Sequence, residues 1–266
     1  PSLTKLKQQF TIIGKYIENR GLPSTINPVI VGFAGYGNVS KGAQEIFDLL
    51  PFVELQPQQL KTVFEDPDPH TLYKVVFKEE DMVQPKIASH QFQLQDYYQY
   101  PEKYISKFEQ YLPYLTILIN AIYWDDRYPR LVTKQFLKSF QDSPKDLRLE
   151  IIGDISIDIN GAIEPTVKVT NPDNPIYVYD PKTDKITDGY DHEGLAIMAV
   201  DNLPCELPRD SSRSFSEILW HFVPEIAKTD YSVLFDQLTL PPEIKRAVIL
   251  HHGQLTPQYT YINKYL

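Results

Sequence analysis

Leu3, Leu6, Phe10, Ile13 and Ile17 recur at steps of three and four, which predicts an amphipathic helix that Gly21 and Pro23 bring to an end. The rhythm then changes. Pro28-Val-Ile-Val-Gly-Phe-Ala34 is a short unbroken apolar run with β-branched residues, the pattern of a parallel strand buried on both faces. Gly35-Tyr-Gly-Asn-Val-Ser-Lys-Gly42 follows at once. Ala43, Ile46, Phe47, Leu49 and Leu50 then return to helical spacing up to Pro51, and Phe52-Val-Glu-Leu-Gln56 reads as the next strand. Tyr73 to Phe77 predicts a strand and Glu102 to Tyr111 a helix, in a stretch crowded with tyrosines whose expected part is packing and surface cover. Tyr114 to Trp124 predicts a strand leading into a loop. Val132 to Phe140 predicts a helix, and Leu147 to Ser156 and Ala196 to Val200 two further strands. Beyond Pro208, the spacing of Phe215, Ile218, Leu219, Phe222 and Ile226 predicts one amphipathic helix, and Pro242 to Leu250 a shorter one with Gly253 past its end. Apolar strands alternating with helices give the fold class: α/β, a Rossmann-type doubly wound parallel sheet with flanking N- and C-terminal helices.

The strand, glycine turn and helix around Gly35 and Gly37 are the sharpest chemical signal. Gly35 suits the tight turn out of the strand, and Gly37 lets a pyrophosphate approach the backbone. The third glycine of the common fingerprint is replaced by Ser40, small enough for helix–strand contact and able to donate to a phosphate. The competing reading is a tight turn that holds no ligand. The choice of cofactor is expected at the tip of the second strand, where Glu54 and Gln56 stand. Glu54 favours a free ribose 2'-hydroxyl and so NAD. Gln56 does not repel a 2'-phosphate, and Lys61 is the nearest cation, so NAD and NADP both stay open.

Composition narrows the partners. The formal net charge of −9 over 266 residues argues against nucleic acid or an anionic membrane as partner. It leaves a dinucleotide open, because a helix N-terminus holds phosphate without lysines. No continuous run of about 18 apolar residues occurs, so no membrane span is expected. Cys205 is the single cysteine, so neither an intramolecular disulfide nor a cysteine zinc site is expected; no metal is expected, and Cys205 itself reads as a small buried hydrophobe. Asp154, Asp158 and Asn160 end a predicted strand on a loop, and Asp201-Asn-Leu-Pro204 ends another. Both border the carboxyl edge of the sheet, where such folds bind ligands. Asp125 and Asp126 read as a solvated turn, His221 as packing, and His251 with His252 as a mild helix C-terminal cap.

Five segments in order resemble a known family: Gly35-Tyr-Gly-Asn-Val-Ser-Lys-Gly-Ala43, Leu118-Ile-Asn-Ala-Ile-Tyr-Trp124, Pro129-Arg-Leu-Val-Thr133, Asp154-Ile-Ser-Ile-Asp158 and Asp201-Asn-Leu-Pro204. They look like lysine–2-oxoglutarate reductase, the saccharopine-forming half of aminoadipic semialdehyde synthase. They are also similar to saccharopine dehydrogenase and, more distantly, to alanine dehydrogenase and transhydrogenase. The resemblance runs from about Pro28 to about Glu225. It implies an NAD(P)-dependent oxidoreductase acting on a CH–NH bond, with lysine, 2-oxoglutarate or saccharopine as small-molecule substrates and NAD or NADP as cofactor. A non-catalytic dinucleotide-binding regulatory module is the alternative.

What the resemblance implies for residues is specific. Gly35, Gly37, Asn38, Val39 and Ser40 would hold the pyrophosphate, and Asn120 and Ala121 would lie by the nicotinamide ribose. Ile155, Val200, Asn202 and Leu203 would line the ring with Asp158, the candidate catalytic aspartate. Where the alanine dehydrogenase pattern has a histidine, the chain reads Thr170-Asn-Pro-Asp-Asn-Pro175, which argues against alanine as substrate. Residues 1–27 are expected to be a connecting helix, 28–208 the dinucleotide-binding domain, and 209–266 C-terminal helices that belong to or pack on a substrate domain. The family's acid–base lysine and histidine are expected in an N-terminal substrate domain outside this chain. On that ground the chain alone would be inactive. A homo-oligomer is left open, and the expected compartment is the mitochondrion in an animal and the cytoplasm in a bacterium.

Overall fold

The computed structural model describes residues 2–141 and 147–266, which divide into two compact units, 1–206 and 207–266. In the first unit, helix α1 (Leu3–Arg20) is started by the Ser2 hydroxyl, which accepts from the Lys5 N–H, and stopped at Gly21. Its inner face carries Gly14 and Ile17, while Leu6 and Ile13 of the predicted stripe are exposed. Strands β1 (Ile30–Ala34), β2 (Phe52–Leu55) and β3 (Leu72–Phe77) follow, with helix α2 (Asn38–Phe47) between β1 and β2. Every residue of β1 is buried. Val31 and Phe33 pack with Ile17 of α1 and Phe47 of α2 on one face. Ile30 and Ala34 pack on the other face with Val75, Leu118 and Ile152. Burial on both faces is why the run is continuously apolar.

After β3 the chain forms a short helix α3 (Glu79–Met82), a strand β4 (Val83–Pro85), helix α4 (Leu94–Gln99) and a strand β5 (Tyr104–Ser106). β4 and β5 pair antiparallel. The helix predicted over Glu102 to Tyr111 is therefore not formed. Tyr104 is instead a buried strand residue in an aromatic cluster with Phe92 and Tyr97, and two 3-10 turns flank β5. The sheet resumes with β6 (Ile117–Asn120) and, past helix α5 (Lys134–Gln141), with β7 (Ile151–Asp154). An antiparallel hairpin follows, β8 (Ile176–Asp180) with β9 (Lys185–Asp188), and then β10 (Leu195–Met198). The periodicity did not reveal this hairpin.

The eight strands are ordered β2-β3-β1-β6-β7-β10-β8-β9. The first six run parallel and β8 pairs antiparallel with β10. Helices cover both faces, so the architecture is Rossmann-type α/β with an antiparallel edge. β2 and β3 lie on one side of β1 and β6 on the other. That reversal makes the crevice at the ends of β1 and β6 the topological switch point, where open α/β sheets bind ligands. β3 stands between β1 and β2.

The second unit holds helices α6 (Pro208–Leu219), α7 (Val223–Lys228) and α8 (Pro242–Ala247), and a small hairpin of β11 (Leu250–His251) and β12 (Gln254–Leu255). The single helix predicted from Phe215 to Ile226 is thus two. Pro224 is accommodated in the first turn of α7 because its ring would clash inside a continuous helix. α8 stops at Ala247, and Gly253 lies in the hairpin turn with His252, both at positive φ. His251 and His252 are therefore not helix caps; their Nε2 atoms bond the carbonyls of Val233 and Tyr231, and the rings stack at 4.0 Å. His221 is exposed rather than packed, and so is Cys205 of the first unit. Among the described residues no helix is long and apolar enough to cross a membrane.

Candidate cofactor-binding site

One row of backbone hydrogen bonds stitches the carboxyl ends of four strands. The Gly35 N–H donates to Phe77 O at 3.0 Å, the Ala121 N–H to Ala34 O at 3.1 Å, and the Ile155 N–H to Asn120 O at 2.9 Å. Gly35, Ala121 and Ile155 are thereby lined up along the sheet edge. Gly35 has φ +94°, and a Cβ there would come within 3.1 Å of Ala121 O, so both backbone conformation and space demand glycine. Gly37 differs. It is extended at φ −72°, ψ −174°, and a Cβ there would meet nothing within 4 Å. Its missing side chain opens space in front of α2, whose first turn has no capping side chain and no acidic residue. Free N–H groups and the positive end of the helix dipole suit an anion there.

Two cavities meet over this edge and share Ala121, Ile122 and Tyr123 as walls. One, of about 280 Å³, lies between the glycine turn and Glu79, Met82, Tyr97 and Tyr98. The other, of about 310 Å³, lies between Val39 and the Ile155, Ser156 and Asp158 loop. Gly35, Gly37, Val39, Ala121, Ile155 and Asp158 are thus brought together. Asn38 is exposed in the first turn of α2. Ser40 is fully buried, and its Oγ accepts from Gln44 Nε2 at 3.0 Å.

Asp154 is 1% exposed and does not project from the loop as the sequence suggested. Its Oδ1 accepts from Asn120 Nδ2 at 2.9 Å and from the Ile157 N–H at 3.2 Å, and its Oδ2 accepts from the Thr166 hydroxyl at 2.6 Å. Asn120 is equally buried, beneath the crevice floor. Tyr177 of β8 clamps the far end of the loop: its hydroxyl donates to Pro165 O and accepts from the Val167 N–H, and burial pushes its pKa up to about 12. The loop backbone is strained at Ile157, a β-branched residue at φ +58°. Asp158 comes next. It is half-buried, and among the described residues no group hydrogen-bonds its carboxylate. Partial burial and the nearby Asp154 charge raise its pKa above the ordinary value.

The remaining predicted residues lie elsewhere. Glu54 is mid-strand on edge strand β2, with its carboxylate 3.2 Å from the buried Lys74 ammonium. Gln56 heads a 3-10 turn, its N–H donating to Gln59 Oε1 at 2.7 Å. Val200 is buried, Asn202 is exposed and Leu203 half-buried past the end of β10, and none of the three lines either cavity. Asp125 is bound by the Arg127 guanidinium, which holds its pKa below the usual range.

Sequence reasoning missed Tyr36, Glu79 and Tyr98. Tyr98 Oη donates to Glu79 Oε1 at 2.6 Å. Partial burial and the Glu79 charge raise the pKa of the Tyr36 hydroxyl, and burial with the Glu79 hydrogen bond raises that of Tyr98. The tyrosine crowding pointed to Tyr98; nothing in the sequence pointed to Glu79.

Residues 80–258 match the family described as alanine dehydrogenase/PNT, C-terminal domain. The chain belongs to this family. It is 36% identical to the alpha-aminoadipic semialdehyde synthase of Arabidopsis thaliana over 98% of this chain and 25% of that protein. It is 34% identical to the mitochondrial alpha-aminoadipic semialdehyde synthase of Bos taurus over 91% of this chain and 28% of that protein. The chain therefore spans about a quarter of the length of these curated relatives. A solved L-alanine dehydrogenase aligns with 98% of the chain and 62% of its own length, at 14% identity and a TM-score of 0.47.

Proposed function

We propose that this chain is the nicotinamide-dinucleotide-binding portion of an oxidoreductase that forms saccharopine from lysine and 2-oxoglutarate. The carrying observation is the open space at Gly37 in front of an uncapped helix, set beside Asp158 across one crevice. The similarity to the two synthases supports the substrate class. Gly35, Gly37 and the N–H groups of Asn38, Val39 and Ser40 would hold the pyrophosphate. Ala121 and Ile155 would flank the nicotinamide end, with Asn120 beneath it and Val200, Asn202 and Leu203 beyond the next strand. When bound there, a nicotinamide would supply hydride to the carbon of the C=N bond that lysine and 2-oxoglutarate form with loss of water.

Asp158 would act at the reacting carbon. Its raised pKa and unshared carboxylate suit a group that holds or stabilises a proton there. Residues 209–266 are assigned to the substrate-binding portion, together with an N-terminal domain that carries the remaining acid–base groups. In an animal the compartment would be the mitochondrion, as printed for the Bos taurus relative.

The test is calorimetric titration of the chain and of Gly37→Val with NADH and NADPH. The chain should bind at least one of them. Valine at an extended, open position should leave circular dichroism unchanged and cost at least about tenfold in affinity, or about 1.4 kcal/mol. No binding of either dinucleotide at millimolar concentration sinks the proposal, and unchanged affinity in the folded variant makes the turn structural only.

A further inference from the structure

We propose that Arg130 is a positioning residue for the reaction: its guanidinium fixes the turn that offers Asp158 to the crevice. This rests on the role given to Asp158 above and deepens it. Pro129-Arg-Leu-Val-Thr133 is one of the five segments that resemble the family, and it runs alongside residues 160–164, with Val132 bridged to Ile163. The Leu131 and Val132 N–H groups donate to Ala162 O at 2.8 and 3.1 Å, and the Glu164 N–H donates back to Val132 O at 2.9 Å. Arg130 supplies the side-chain part of this brace. Its Nη2 donates to Asn160 O at 2.9 Å, and its Nε donates to Gly161 O at 3.1 Å and to Asn160 O at 3.3 Å. Among the described residues no carboxylate lies within ion-pair distance of this guanidinium. Its donors are spent on two main-chain oxygens.

Those two oxygens belong to the turn that carries Asp158. With no hydrogen-bond partner on its carboxylate, Asp158 has its place set by its backbone. The Gly161 N–H closes the turn onto Asp158 O at 2.8 Å. The closure is tight: a Cβ at Gly161 would come within 2.7 Å of Asp158 O, and Asn160 stands at φ +52°, a region that asparagine tolerates. Asp154 and Ser156 hold the loop on its entry side, where the Ile157 N–H donates to Asp154 Oδ1 and the Ser156 hydroxyl to Ile122 O. Arg130 holds the exit. A planar fork can grip both carbonyls at once, whereas an ammonium on a flexible stem is a point charge that fixes neither direction. The Trp124 ring, its centre 5.7 Å from the guanidinium, helps to orient the fork, and it is anchored in turn by its Nε1, which donates to Tyr128 O at 3.1 Å and to Pro129 O at 3.3 Å. Trp124 and Asp158 both wall the cavity of about 310 Å³, while Arg130 lines neither cavity of the crevice. Arg130 therefore acts through Asp158 and touches neither substrate nor dinucleotide there. A misplacement of about 1 Å in a reacting group can cost about 10² in rate.

The experiment is single-turnover hydride transfer by the full-length enzyme with lysine and 2-oxoglutarate, and fluorescence titration of dinucleotide affinity beside it. The variants are Arg130→Ala, Arg130→Lys, Asp158→Asn and the double variant of Arg130→Ala with Asp158→Asn, each checked by circular dichroism. Arg130→Ala should slow transfer by about 30-fold or more, while dinucleotide affinity moves by less than about threefold. Arg130→Lys keeps the charge but not the fork. It should remain at least about tenfold slow, and it stands in if Arg130→Ala does not fold. The double variant should be no more than about threefold slower than Asp158→Asn alone, because the two residues act as one unit. Normal transfer by a folded Arg130→Ala or Arg130→Lys enzyme would overturn the inference. So would losses that multiply in the double variant, or equal losses of transfer and affinity, the mark of a general folding defect. A slow Asp158→Asn enzyme beside a normal Arg130→Ala enzyme removes this inference alone. A normal Asp158→Asn enzyme removes the catalytic role of Asp158 and the inference with it.

Discussion

At the Asp158 end of the crevice the supporting carboxylate, Asp154, is sealed from water and accepts from three donors on three different segments. At the Glu79 end the carboxylate is half-buried and accepts from the Tyr98 hydroxyl. The first arrangement is rigid: a buried carboxylate held by three donors resists displacement, because any loosening leaves unpaired atoms in a low dielectric. The second holds its charge in one orientation but can be re-solvated at little cost. The contrast separates two tasks. At the first end the backbone that carries Asp158 is fixed, by Asp154 beneath it and by a strained Ile157 beside it, and the proposed catalytic role would draw on that placement. The glycine-turn end would need only open backbone N–H groups and room for a phosphate.

Three predictions press on this contrast. The largest effect is expected at Asp158. In the full-length enzyme, Asp158→Asn should slow single-turnover hydride transfer by about 10² or more, while dinucleotide affinity moves by less than about threefold, or 0.65 kcal/mol. Normal transfer by a folded Asp158→Asn protein removes this residue from the chemistry and leaves the loop as scaffolding.

Next comes Asp154→Ala. It strands Asn120, Thr166 and the Ile157 N–H in a buried site, so denaturant unfolding should show a loss of about 2–3 kcal/mol. Loss of the fold's stability, more than of cofactor affinity, should mark this variant. A loss under about 0.5 kcal/mol would put Asp154 among ordinary surface positions and undo the claim of a rigid end.

The smallest effect concerns pH. The folded protein raises the Asp158 pKa, through partial burial first and Asp154 second, so the charged form is the one that folding disfavours. The stability contributed by this group is fully present below the ordinary value of 3.8. It is lost as pH rises through the folded value. Asp158→Asn should therefore raise the thermal midpoint slightly at pH 7, with the gain vanishing below pH 3.8. A midpoint lowered at pH 7 would mean that the carboxylate is stabilised by folding, contrary to its lack of a partner.

Much of the glycine-turn end was legible because its signals are local. A continuous β-branched run, two glycines and a returning helical period each act within a few residues, and they fixed β1, the turn and α2 in advance. Ser40 shows the limit of such reading. Its small size was visible, but its complete burial and the hydrogen bond it accepts from Gln44 were not. The loop from Asp154 to Asp158 was visible as a group of polar residues. Which of its two aspartates is buried and which is offered to the crevice was not, because the difference is made by Asn120 and Thr166, 34 and 12 residues away. The helix expected over Glu102 to Tyr111 failed for the same reason: pairing of β5 with β4, and burial of Tyr104 among Phe92 and Tyr97, outweigh a weak local preference.

The sequence by itself determined that this is an α/β protein with a phosphate-sized opening after its first strand, since chain geometry and glycine placement need no distant partner. Only the tertiary structure decided which carboxylate stands beside that opening. A strand's neighbours are chosen by long-range pairing, and here β3 enters between β1 and β2. That insertion moves Glu54 out to the sheet edge and into an ion pair with Lys74, and it brings Glu79 to the glycine turn.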